Sequence, residues 1–172
     1  MFKIKKIVFP LVLIIGFCFI SCGNNENDLP EKLGDLSLSK TIKSNDATKI
    51  VNKMHGKRIE TIMNLIGYYG NGQSRNILYV SVYQNAEKAK NDLMKMATKM
   101  AKGTQVFAPL TLGKMGDNVR FQTEGMGFKH YFYRVDSILI WWQVKPDKAE
   151  STYNDLLDFD FATLKEVTKK KQ

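Results

Sequence analysis

Cysteine is almost absent: Cys18 and Cys22 are the only two in 172 residues. None follows Cys22, so the remainder of the chain holds no disulfide and no cysteine-ligated metal. Histidine is as scarce, with His55 and His130 alone and far apart. A zinc site needs further His, Asp or Glu at ligand spacing, and neither histidine brings them. No Gly-x-Ser-x-Gly run presents a serine nucleophile. Gly125-Met126-Gly127 is too short for a phosphate loop and lacks the strand-turn-helix setting of one. Asp158 and Asp160 form a carboxylate pair without the glycine turn or bidentate Glu of a calcium loop, and read as a solvated face. The sequence names no catalytic residue and no metal ligand.

Charge is missing from one more place. Lys3, Lys5 and Lys6 precede an uncharged apolar run from Ile7 to Ile20, which ends in Ser21-Cys22-Gly23. At about 14 residues the run fits a signal h-region of about 7–15 better than a spanning helix of about 20. Pro10 suits a segment that need not persist as a membrane helix. The stretch Phe19-Ile20-Ser21-Cys22-Gly23 resembles the lipobox of bacterial lipoproteins, with Phe19 where that family prefers leucine. The resemblance implies removal of a signal peptide, residues 1–21, and a diacylglycerol on the Cys22 thiol. That covalent lipid is the only cofactor implied. It further implies a cell-envelope protein tethered to a membrane, and Gly23 rather than Asp after the cysteine favours the outer membrane over the inner.

About 150 residues remain after such a cut, the usual size of one domain. The formal charge of +9 falls to about +6 without the lysines of the n-region, a balance that serves solubility and attraction to anionic headgroups. Nucleic acid is not an expected partner of an exported protein. Residues 22–34 read as a flexible tether, since Gly23 to Asp28 offers nothing apolar to bury. Residues 35–168 read as a single domain, and 169–172 as a basic tail.

Within the domain, strand and helix periods alternate. Leu36, Leu38 and Ile42 suggest a lead-in strand. Ala47, Ile50, Val51 and Met54 then fall at helical spacing over residues 46–55, with Ser44 or Asn45 as the cap and Gly56 at C′. Residues 59–69 and 77–83 predict two strands joined near Gly70-Asn71-Gly72. Asn85 caps a helix to about Lys102, closed by Gly103, whose stripe is Ala89, Leu93, Met96, Ala97 and Met100. A copper site would need a His or Cys beside those thioethers. None is near in sequence, so the stripe reads as core. Strands follow at Val119 to Thr123, Phe128 to Val135 and Ile138 to Val144, and Pro146-Asp147 opens a last helix. The order predicts an α+β fold: an antiparallel sheet of about five or six strands with about three helices, in two layers. Residues 79–97 and 139–157 echo one another, which suits either a duplication or two junctions obeying the same rules.

A turn at Asp136-Ser137 sets the register of the strands around it. Val135, Tyr133, Tyr131 and Lys129 then face Ile138, Ile140, Trp142 and Val144, a face suited to the core. The other face pairs Arg134 with Leu139, Phe132 with Trp141, and His130 with Gln143. If helices cover one side only, His130, Phe132, Arg134 and Trp141 form an exposed aromatic binding face. If that side is covered, they form a second small core. Two function classes follow. The first is a non-enzymatic, lipid-anchored module meeting an envelope protein, glycan or lipid; the alternative is a cell-envelope enzyme whose site is assembled from loops. The absence of catalytic motifs favours the first.

Overall fold

Asp136 takes φ 49°, a left-handed conformation that a short polar residue tolerates in a hairpin turn. The strands on either side, β7 (Phe128–Val135) and β8 (Ile138–Val144), pair from Val135↔Ile138 to Lys129↔Val144. Every expected cross-strand pair is present, because a tight turn leaves the register no freedom.

The computed structural model describes residues 28–71, 75–116 and 118–164. The expected signal peptide, Cys22, the expected spacer to Asn27 and the expected basic tail lie outside the described residues. In chain order the other elements are β1 (Lys32–Leu33), β2 (Leu36–Lys43), α1 (Ser44–His55), β3 (Met63–Tyr69), β4 (Asn76–Val82), α2 (Ala86–Met100), β5 (Thr111–Met115), β6 (Asn118–Gly125) and α3 (Ala149–Asp158). A single 3-10 turn, Pro146–Lys148, leads into α3. The sheet has eight strands in the order β1-β2-β3-β4-β8-β7-β6-β5, and every pairing is antiparallel. The α+β class is as the periodicities require, while the strand count exceeds the expected five or six.

The helices end as their residues direct. The Asn85 side chain accepts from the Lys88 N–H at 2.9 Å, and Gly103 (φ 79°) returns its N–H to Met100 O. Gly56 (φ 64°) closes α1. The cap expected from Ser44 or Asn45 is not formed: α1 begins at Ser44 itself and makes no side-chain cap bond.

Helices cover both faces of the sheet, which corrects the two-layer expectation. Leu65, Val80, Ile140, Trp142 and Tyr133 point to one face, beneath Ala149 and Leu156 of α3, Leu29 and Leu33 from the N-terminal side, and Phe161 and Leu164. Ile66, Leu139, Phe132 and Phe121 point to the other, beneath Ala47 and Val51 of α1 and Ala89, Leu93 and Ala97 of α2. An amphipathic helix must bury its stripe, and both faces of this sheet present apolar side chains that receive one. Leu29 and Leu33 also correct the tether: the stretch expected to be loose up to Gly34 carries two fully buried leucines. Both cores draw only on residues from Leu29 to Leu164, so a chain beginning at Cys22 keeps all of the described core.

The internal echo is explained by local rules. β4 and β8 are antiparallel neighbours, and a twofold axis relating them would place both following helices on one face. α2 and α3 lie on opposite faces, so two similar strand-helix junctions account for the pattern.

Candidate functional site

The four residues expected to form an exposed face have separate fates under α1 and α2. Phe132 is wholly buried and stacks between Phe121 (centroids 5.4 Å) and Trp141 (5.2 Å). Arg134 is drawn to the hairpin end, where its guanidinium donates to the Asp136 carbonyl. His130 is 1% exposed. Trp141 remains half-buried, and with His130 it forms part of a pocket floor. The covered reading therefore holds for Phe132 and His130, with α1 and α2 as the cover.

That pocket holds about 340 Å³, near the lower bound of small-molecule sites. Its floor is the sheet: Tyr79 of β4 lies opposite Trp141 of β8, and Gln143 of β8 lies opposite His130 of β7. The last turn of α1 supplies Met54 and His55. Met96, Lys99 and Met100 of α2, at i, i+3 and i+4, form the facing wall. Phe107 and Met126 close the remaining side.

Two local features hold Phe107 and Met126 there. Met126 (φ 53°) and Gly127 (φ 80°) are the centre of the β6–β7 hairpin turn, both left-handed as such a tight turn requires. Phe107 bridges to Gly125, and its ring meets His130 edge-on at 5.0 Å and Trp141 at 6.4 Å. The Gly-Met-Gly run is thus a structural turn that carries a pocket residue.

His130 is fixed at both ring nitrogens. Nε2–H donates to Gly125 O at 3.1 Å, and Nδ1 accepts from the Trp141 indole N–H at 3.2 Å. This arrangement needs a neutral ring, and burial pushes the His130 pKa down, opposed in part by the Gly125 bond. His55 is also pushed down, first by burial, with Asp92 opposing and Lys57 and Lys99 adding to the fall. Burial holds the Tyr79 phenol up at about 12, so it stays a donor.

The histidine shifts give stability a sign with pH. Both folded pKa values lie below the ordinary value of about 6.5, so the unfolded chain takes up protons first as pH falls. Their contribution is intact above that value and declines as pH drops through it toward the folded pKa values. Thermal melts should show a lower Tm at pH 5 than at pH 7.5, with the slope reduced in His130→Gln and further reduced when His55→Gln is added. An equal slope in all three proteins would contradict this reading.

The sequence places no histidine beside the α2 methionines, yet the fold brings both histidines to them. Even so, His130 offers no free nitrogen, and Lys99 stands in the same wall. A soft cation finds a poor donor set there. Among the described lining residues there is no carboxylate, serine, threonine or cysteine. Asp158 and Asp160 lie exposed on the far side of the sheet's core, and Asp160 is used in capping the Ala162 N–H at 2.9 Å. What the pocket can do chemically is enclose an apolar body and offer a few polar contacts at its edges. The chain matches no family model, no curated protein and no solved structure.

Proposed function

We propose that the protein is a lipid-anchored, extracytoplasmic binding module, non-enzymatic, which holds a small and largely apolar ligand in the pocket between α1, α2 and the sheet. The observation that carries the binding half is the wall itself. Met54, Met96, Met100 and Met126 come from three separate segments to line one cavity. Unbranched thioether side chains adapt to varied apolar shapes, as at other permissive binding surfaces. Aromatic floor and methionine wall are the composition expected of a pocket that recognises apolar bulk.

The anchor half rests on the lipobox-like stretch ending at Cys22. Each buried methylene contributes about 0.8 kcal/mol, one acyl chain holds only marginally, and two or three hold for long times. The spacer from Gly23 would hold the domain off the bilayer, at the outer membrane by the Gly23 criterion. Cys22→Ala should leave a full-length precursor that takes up no labelled palmitate, and equal labelling of wild type and variant would contradict the anchor.

Binding is tested on protein purified from its own envelope. Native mass spectrometry should show a non-covalent small-molecule adduct on the wild type that is lost in Met96→Lys, which sets a charge in the half-buried wall. Bare protein in both samples would count against the pocket reading.

A further inference from the structure

The pocket shares His55, Met96 and Lys99 with a smaller neighbouring cleft of about 100 Å³, also lined by Lys57, Ile59, Tyr83, Asp92 and Lys95. Asp92 already pairs with Lys95 at 3.2 Å. Among the described residues, neither Lys57 nor Lys99 forms an ion pair. The cleft therefore carries one internally balanced pair and two uncompensated cations beside an apolar cavity. At its other edge the mouth is apolar, with Met54 and Met126 exposed by 50% and 59%.

Resting on the pocket reading above, we propose that the ligand is an anionic amphiphile: a single short acyl chain lies among the methionines, and its carboxylate sits between Lys57 and Lys99. Charge complementarity selects the head. Two ammonium groups at the edge of a low-dielectric cavity attract an anion and repel a cation, and each charge-assisted hydrogen bond to a carboxylate is about twice as strong as a neutral one. The phenol of Tyr79 and the imidazole of His55 add neutral polar contacts along the cavity. Volume selects the tail: 340 Å³ suits a chain of roughly ten carbons rather than a diacyl lipid, given that pockets run from about 300 to 1,000 Å³. The same lysines would steer the anion to the cleft, an effect that weakens with salt.

The experiment is calorimetric titration of the chain beginning at Cys22 with four probes: decanoate, decan-1-ol, decyltrimethylammonium and acetate, each below its aggregation threshold. Decanoate should bind at least tenfold more tightly than decan-1-ol, decyltrimethylammonium more weakly than either, and acetate not measurably. Lys57→Gln/Lys99→Gln, a change of two side chains at the cleft surface, should bring decanoate to the level of decan-1-ol and leave decan-1-ol unchanged. Equal affinity of wild type for decanoate and decan-1-ol, or preference for the cation, overturns the headgroup assignment while leaving the apolar pocket standing. Absence of binding by all three ten-carbon probes overturns both.

Discussion

Trp142→Ala lowers the stability of the domain by about 3–5 kcal/mol, the range for removing a large aromatic from a closed core, and lowers Tm by on the order of 10–15 °C. Trp142 is fully buried and meets the Tyr69 ring edge-on at 5.5 Å. Its indole N–H donates to Thr152 Oγ1 at 3.0 Å, and that hydroxyl donates in turn to Lys148 O at 2.9 Å. Truncation therefore opens a cavity and also leaves Thr152, itself buried, without its donor. The consequence is loss of the joint between β8 and α3. Trp141→Ala makes the useful contrast. That side chain is half-buried, so its loss should cost less, about 2 kcal/mol, while freeing His130 Nδ1 and deforming the pocket floor. A Tm for Trp142→Ala within 3 °C of wild type, roughly 1 kcal/mol, would contradict the placement of α3 on this face.

Gly125→Ala destabilises by about 3 kcal/mol and disturbs the pocket from outside its lining. A Cβ at position 125 would fall well inside van der Waals contact with the Val106 carbonyl oxygen and the Phe107 ring. One of those neighbours is backbone, so the strain cannot be relieved by a side-chain rotation. The segment that carries Phe107 must move off the sheet. Because Gly125 also supplies the carbonyl that His130 donates to, and Thr123 Oγ1 donates to Ala108 O at 2.7 Å, the disturbance reaches three groups at once. Urea unfolding should show a lower midpoint at unchanged slope, with weakened affinity for decanoate in whatever fraction stays folded. A midpoint equal to wild type would show that Val106 and Phe107 do not pack against Gly125.

The contrast between these residues shows what the sequence could and could not reveal. The β7–β8 register was legible because a tight turn and strict alternation are local, and they fix every pair out to Lys129↔Val144. β5 was not. Thr111–Met115 contains a glycine and is an edge strand whose Leu112 is 73% exposed, so it shows no buried alternation. β1 is a two-residue bridge that no period can mark. The residues of the mixed face were correctly grouped, yet their exposure was undetermined, since periodicity states that a helix has an apolar stripe without stating which sheet face receives it. The pocket was hidden for the same reason: Met54, Met96 and Met126 belong to separate elements, and only the docking of α1 and α2 brings them together. Gly125-Met126-Gly127 reads in the sequence only as too short for a phosphate loop, and is silent about what its methionine faces.

Methyl NMR of the methionines offers the most direct test of the ligand pocket. On adding decan-1-ol to the chain beginning at Cys22, the methyl resonances of Met54, Met96, Met100 and Met126 should move along saturable curves sharing one dissociation constant. Met63, which packs against the core on the opposite side of the sheet, should stay fixed. Four unmoved resonances, or a displacement of Met63 equal to theirs, would mean the cavity is ordinary packing space and binds nothing of this kind.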